Sequence, residues 1–417
     1  MGVSGDPGHP FCLMEVHRAL GSQGHPTAAE GEIRSRIADR GMIAFREFME
    51  LALYFPARGG YYTDPGTRAA RDDYYTSPAV HPAFGAAIAI QLRSMWRALG
   101  RPQPFSVIEL GAGDGLLARD VVGYAGRLDG PFAGALRYVT IEMAERAPRA
   151  VTGCVLSNEL VDAMPVARFQ VEAGQLKEIF VTVDADGRLC ERLADPITCA
   201  IGERLATVGC DLSDGFRGEV NDGIRPWMER VDKILSCGFV LTIDYGGTAQ
   251  EIYTRERGTL QTYFRHVDGL SPYQNVGRQD MTAHVDFSAV EAEGAKVGLS
   301  PIGLLTQQRM LRLCGIDRIE AQLRETGLAG AELAANLQGV RKLVRPDGLG
   351  GFRALFQERG TGVRTVEQIL PSAEEIAHLP APPVLGPDHI RLREGGYPSF
   401  SFEMDALWPI DPDEEPG

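Results

Sequence analysis

Carboxylates, glycines and one histidine hold most of the chemistry open to this sequence, and they gather in a few short segments. The first is Glu109-Leu-Gly111-Ala-Gly113-Asp-Gly115, between the apolar run Phe105-Ser-Val-Ile and a helical stretch from Leu116. A strand, a glycine turn and a helix favour anions and nucleotides, because glycine lets the backbone approach a ligand and a helix N-terminus offers free N–H groups. The spacing is Gly-x-Gly-x-Gly, unlike the Gly-x-Gly-x-x-Gly of dinucleotide folds. The plainer alternative is a tight strand-to-helix turn. The next strand-like run, Leu136–Ile141, ends on Glu142, whose carboxylate can accept two hydroxyl donors at once.

Val155-Leu-Ser-Asn158-Glu159-Leu-Val-Asp162-Ala-Met-Pro165 puts three polar side chains at the carboxyl end of another strand, where open α/β sheets bind ligands. Glu159 and Asp162 are three apart and face one side of a turn. Together they could hold a guanidinium or ammonium by forked hydrogen bonds, and one could take its departing proton. Alternatively Asn158 or Asp162 caps a helix and Glu159 is a solvated first-turn acid. Asp244-Tyr245-Gly246 ends a further strand at the same edge and is expected to line the pocket. Thr282-x-His284-x-Asp286 sets three polar groups on one face of a strand, as structure or as pocket wall. His284 and Asp286 lack further ligands nearby, so no metal site is expected. Two Tyr-Tyr-Thr loops, Tyr61–Thr63 and Tyr74–Thr76, could close as aromatic lids or pack a helical cap. A Gly-x-Ser-x-Gly elbow and a Gly-x-x-x-x-Gly-Lys-[Ser/Thr] loop are both absent, which disfavours hydrolase and P-loop chemistry.

These segments need a scaffold. Strand-like runs at Phe105–Leu110, Leu136–Ile141, Gly153–Ser157 and Phe239–Asp244 alternate with helical segments, which predicts a parallel α/β sheet with helices on both faces. Residues 1–30 read as a flexible lead-in and 31–100 as an N-terminal helical cap broken at Gly41. Within the cap, Ser77 is expected to cap a helix with Pro78 at its first position, running to about Leu99. Residues 101–360 form the main domain, with insertions at about 166–232 and 247–285. The alternation over 168–195 predicts an antiparallel ribbon, and 286–325 returns to helical spacing. The segment 361–417 holds nine of the 26 prolines and a net charge of −8. It is expected to be extended, with Tyr397, Phe400, Phe402 and Trp408 pinning it to the body.

The 417 residues are 44% hydrophobic and 24% charged, a globular balance, and the net charge of −14 disfavours nucleic acid as a partner. No run approaches the roughly 20 apolar residues that cross a bilayer, so no membrane partner is expected. Seven scattered cysteines without a Cys-x-x-Cys pair point to a reducing compartment, with the cytoplasm as expected location.

Glu-x-Gly-x-Gly-x-Gly followed by Glu142 resembles the first motifs of class I S-adenosylmethionine methyltransferases. The likeness extends in order through Ala44-Phe45-Arg-Glu-Phe48, Gly60-Tyr61-Tyr62-Thr63, Thr76-Ser77-Pro78 and Asn158-Glu159-Leu-Val-Asp162-Ala-Met-Pro165. It continues in Ile243-Asp244-Tyr245-Gly246, Thr259-Leu-Gln261, Asp280-Met-Thr282-Ala-His284-Val-Asp286-Phe287 and Pro346–Phe352. On these segments the chain resembles the MidA-like methyltransferases, a family that includes a mitochondrial protein arginine methyltransferase. The resemblance implies a Rossmann-like doubly wound sheet with an N-terminal helical cap and an inserted antiparallel lid. It implies S-adenosylmethionine as cofactor, held by Glu109, Gly111, Gly113, Gly115, Glu142, Asn158, Thr76 and Tyr62. Catalysis would fall to Asp162, Glu159 and His284, and substrate contacts to Asp244, Tyr245 and Asp286. The implied acceptor is a protein arginine. A peptide or small-molecule acceptor, a non-catalytic assembly role and a homodimer stay open. Three features depart from the family: Asp114 where it usually has Arg, Ala79 where it tends to have Glu, and the acidic Pro-rich tail.

Overall fold

The computed structural model describes residues 25–56, 59–64, 76–142, 145–264 and 267–389. Tyr74, Tyr75 and the four tail aromatics lie outside the described residues, as does most of the expected lead-in. The chain forms two compact units, one of residues 1–73, 177–197 and 261–281, the other of 74–176, 198–260 and 282–417.

The larger unit is built on one sheet of β1 (Phe105–Leu110), β2 (Leu136–Ile141), β3 (Val151–Asn158), β4 (Leu235–Asp244), β5 (Ser300–Thr306) and β6 (Arg353–Arg359). The strand order is β5-β6-β4-β3-β1-β2. β1 runs parallel to β2 and β3, β3 parallel to β4, and β6 lies antiparallel between β4 and β5. Alternate residues serve two cores, which is why the strands read as nearly continuous apolar runs. Phe105, Val107, Leu156, Leu241 and Phe356 face one core, with α1 (Ala83–Ala98) and α2 (Leu116–Leu128). Ile108, Leu110, Val155, Val240 and Leu355 face the other, with α3 (Ile224–Ile234) and α4 (Phe287–Lys296). The chain leaves β1 toward β2 and returns to β3 on the opposite side. The carboxyl ends of β1 and β3 therefore flank the switch point, where such sheets bind ligands.

The smaller unit holds the helices Ala28–Arg40 and Phe45–Tyr54 and the strand Ile43–Ala44, which pairs antiparallel with Gln175–Val183. Gly41, at φ 82°, makes the break between the two helices. The strand Gln175–Val183 also pairs antiparallel with Leu189–Ala194, so the expected ribbon is present.

Five expectations change. The 77–99 helix is split into Ser77–Val80 and α1, because a residue before proline avoids the helical region and His81 is extended at φ −164°, ψ 138°. Its N-cap is Thr76, not Ser77, and its hydroxyl makes no capping bond. Residues 77–100 belong with the sheet instead of an N-terminal cap. α1 is buried along nearly its whole length, with Gln91, Arg93 and Ser94 buried beside its apolar residues. The segment 286–325 is not wholly helical, since Ser300–Thr306 is β5, and its mixed pattern comes from strand and helix meeting without a turn signal. Finally, 361–389 is not a loose extension: Val363, Val366, Ile369 and Leu379 are buried in the first core, and short helices cover Val366–Ile369 and Ala373–Ala377.

Candidate functional site

β1 delivers the glycine loop to the switch point. Gly111, Gly113 and Gly115 all have left-handed backbones, at φ 72°, 61° and 77°, a conformation that costs other residues about 1–2 kcal/mol. A Cβ on Gly111 would lie 2.6 Å from Leu160 Cδ1, so the loop packs directly on the turn after β3. Gly115 is the N-cap of α2, and the Leu116 N–H donates to Asp114 Oδ1 at 3.2 Å. Glu142, just past β2, turns its side chain onto this loop: the Gly113 N–H donates to its carboxylate at 2.9 Å. Glu109 is buried beneath, accepting from the Tyr138 hydroxyl at 2.9 Å, and burial pushes its carboxyl up to about 7.

The turn after β3 brings the second cluster beside the first. Glu159 takes a left-handed φ of 49°, an uncommon backbone for a non-glycine residue that the surrounding bonds hold in place. Its Oε1 accepts from the Ser77 N–H and from Asn158 Nδ2, each at 3.0 Å. Burial raises the Glu159 carboxyl to about 8, and Asp162 adds repulsion. Asp162 is buried, and burial raises it to about 6 while the Tyr245 hydroxyl and Ala163 N–H favour its charged form. Asn158 Oδ1 is buried without a hydrogen-bond partner, an acceptor left open at the sheet edge. The geometry thus unites Glu109, the three glycines, Glu142, Asn158, Glu159 and Asp162.

Asp244 and Asp286, expected to contact substrate, both carry structural bonds in the fold. Asp244 is fully buried, and its Oδ2 accepts the N–H groups of Leu160, Val161 and Asp162 at 3.2, 2.9 and 3.3 Å. Its Oδ1 takes the Tyr245 N–H at 2.9 Å. Burial and the neighbouring Asp162 and Glu159 push this carboxyl up, against the pull of those backbone donors. Asp286 caps α4 by accepting from the Ala289 N–H and is paired with Arg204, whose Nε lies 2.8 Å away. Both residues sit where capping and turn-holding bonds leave little lone-pair capacity for a ligand.

Tyr245 and His284 pack ring to ring, 5.2 Å apart and perpendicular, and Phe352 covers Tyr245 at 5.4 Å. Burial lowers the His284 imidazole to about 3, so it is neutral at physiological pH. The His284 N–H donates to Thr259 Oγ1 at 3.2 Å. Thr76 is half-buried one residue before the Ser77 N–H that Glu159 binds. In the smaller unit, the Tyr62 hydroxyl donates to Asp280 at 2.9 Å and its ring stacks on Tyr54. Two contributors escaped the sequence reading. The Ser77 N–H was signalled by the Ser-Pro helix start, and Tyr138 only by its register beside Val107.

The cofactor fit can be tested on these atoms. The loop offers backbone without Cβ atoms at three left-handed positions, a carboxylate faces it, and Asn158 presents an open buried acceptor. Gly111, Gly113, Gly115, Glu142 and Asn158 could therefore hold a ligand with a ribose and an ammonium group.

A family profile described as "Putative S-adenosyl-L-methionine-dependent methyltransferase" matches residues 87–150 and 143–305, more than half the chain. Among curated proteins, the chain is 25% identical to the Drosophila melanogaster "Protein arginine methyltransferase NDUFAF7 homolog, mitochondrial", over 87% of this chain and 89% of that one. Identity to the Homo sapiens "Protein arginine methyltransferase NDUFAF7, mitochondrial" is also 25%, over 82% and 87%. Among solved structures, a COG1565 superfamily member from Burkholderia thailandensis bound to S-adenosyl-homocysteine superposes with a TM-score of 0.69 at 26% identity. That match covers 87% of this chain and 97% of the other. With the profile running through the glycine loop, Glu142 and the Asn158–Pro165 turn, the chain belongs to the MidA-like family of S-adenosylmethionine-dependent methyltransferases.

Proposed function

We propose that this enzyme methylates a guanidinium nitrogen of a protein arginine, with Glu159 and Asp162 as the groups that receive the cation. The observation that carries the reading is the pair of up-shifted carboxyls on one turn, Asp162 buried and Glu159 half-buried, packed against the glycine loop. The names of the curated relatives support the same acceptor. When bound, S-adenosylmethionine supplies an electrophilic methyl on a sulfonium centre. In this reading the glycine loop and Glu142 seat the nucleoside, and Asn158 Oδ1 accepts from the ammonium end.

Glu159 and Asp162 hold the guanidinium by charge-assisted hydrogen bonds, and the cation in turn lowers both carboxyls toward their charged forms. Transfer would break the sulfur–methyl bond, leave its electron pair on the sulfur of S-adenosylhomocysteine and form the nitrogen–methyl bond; the nitrogen would lose one proton, and Asp162 would take it. At about 6, Asp162 is ionised at neutral pH yet basic enough to accept. His284, neutral and edge-on to Tyr245, is a wall of the acceptor pocket in this scheme, and Thr76 contacts the cofactor. The thiols of the six described cysteines are free, which suits the cytoplasm as location, while the relatives' names are mitochondrial. Fractionation of tagged protein separates these two locations.

The test is transfer of labelled methyl from S-adenosylmethionine to arginine-containing peptides and lysate proteins, read as methylarginine after hydrolysis. Label confined to small molecules, or to residues other than arginine, overturns the acceptor assignment.

A further inference from the structure

Glu142 stands one residue beyond the sheet. The last ladder bond of its strand runs from the Gly111 N–H to the Ile141 carbonyl at 2.8 Å, and β2 is an edge strand. No strand backbone therefore holds residue 142, and its aim depends on bonds from elsewhere. One set is local: the Glu142 N–H donates to Glu145 Oε2, and the Glu145 N–H to the Glu142 carbonyl, each at 2.9 Å. The other comes from α3. Arg230 Nη2 donates to the Glu145 carbonyl at 2.8 Å and to the Glu142 carbonyl at 3.4 Å.

α3 is a firm base for such a tether. Ile224, Trp227, Met228, Val231 and Ile234 bury one whole face of it in the second core. A guanidinium keeps its charge at every physiological pH, and its Nη2 carries two N–H donors, so this one nitrogen can hold both carbonyls at once. We propose that Arg230 is a positioning residue for the cofactor. It fixes the main-chain carbonyls of Glu142 and Glu145 so that the Glu142 carboxylate points at the glycine loop, and thereby sets affinity for the ribose end of the ligand. This rests on the reading of Glu142 as the ribose acceptor.

A double-mutant cycle tests it, with S-adenosylhomocysteine binding measured by calorimetry on the full chain. Arg230→Ala is expected to weaken binding about tenfold, and the same change in a Glu142→Gln background less than about threefold, because the tether then has nothing to aim. At saturating S-adenosylmethionine, kcat should stay within about twofold and the acceptor KM should hold, while the KM for S-adenosylmethionine rises. Arg230→Lys should recover part of the loss, and it serves as the test variant if Arg230→Ala does not fold. Unchanged binding by Glu142→Gln overturns the ribose reading and this inference with it. If Glu142→Gln is weak but Arg230→Ala binds normally, or the two losses add, only the role of Arg230 is overturned.

Discussion

A carboxyl with a pKa near 6 is still a carboxylate at pH 7.5, and Asp162 is such a group, buried within the turn that also carries Glu159. A general base works deprotonated, so kcat/KM for the acceptor should rise with pH through about 6 and level off above it, while kcat should rise at lower pH because the bound cation favours the carboxylate. Asp162→Asn should retain S-adenosylhomocysteine binding and lose about 10²–10⁴ in turnover. Single-turnover methylation beside a calorimetric titration checks both halves, and full turnover by the variant removes the proposed base. Glu159 titrates higher, near 8, because burial and Asp162 both disfavour its charge. It is therefore a poor anion until a cation arrives, which suits a clamp that charges as its ligand binds.

One element, the turn after β3, decides whether these carboxyls are aimed at all. It has no regular ladder of its own and is held from three directions: Asp244 takes three of its N–H groups, Ala283 donates to the Asp162 carbonyl, and Asn221 donates to the Val161 carbonyl. Asp244→Ala would leave these buried donors without an acceptor. We expect a loss of about 2–4 kcal/mol in chemical denaturation and a fall in turnover, even though Asp244 need not touch either substrate. The glycine loop depends on the same turn. Gly111→Ala combines a left-handed φ with a contact of 2.6 Å to Leu160, so it should cost about 2–4 kcal/mol and weaken S-adenosylhomocysteine. Leu160→Ala in the Gly111→Ala background relieves the clash and should recover part of the binding.

Across the whole molecule, the burial that tunes these groups also sets how stability responds to pH. Glu109, Glu159 and Asp162 are raised to about 7, 8 and 6, above the values they have in an unfolded chain. Between pH 4.5 and these values the folded state holds protons that the unfolded state releases. Stability from these groups is therefore complete below their unfolded pKa and is lost as pH rises, by at most about 1.4 kcal/mol per pH unit for each. The ligand-free protein should melt at a lower temperature at pH 8 than at pH 5.5, and Glu109→Gln, neutral throughout, should make that fall shallower. Differential scanning calorimetry across the range reads this directly, and parallel curves for the two proteins would show that Glu109 does not contribute.

Short-range chemistry was legible in the residues themselves. Glycines at 111, 113 and 115 require positive φ, four apolar runs require a covered sheet, and an acid at the end of each strand lands on one edge because parallel strands end together. Other features were not legible, because they depend on partners distant in sequence. The strands Ser300–Thr306 and Arg353–Arg359 exist through pairing with each other and with β4, and their local patterns do not separate strand from helix. Asp244 and Asp286 looked like pocket residues by position, and only the fold shows their oxygens already committed to backbone N–H groups and to Arg204. By itself the sequence determined a glycine loop, its acidic neighbours and the kind of sheet that presents them. Which carboxylates stay available for a ligand and which hold the turn in place was decided by tertiary packing, since a lone pair is free or spent only once its neighbours in space are known.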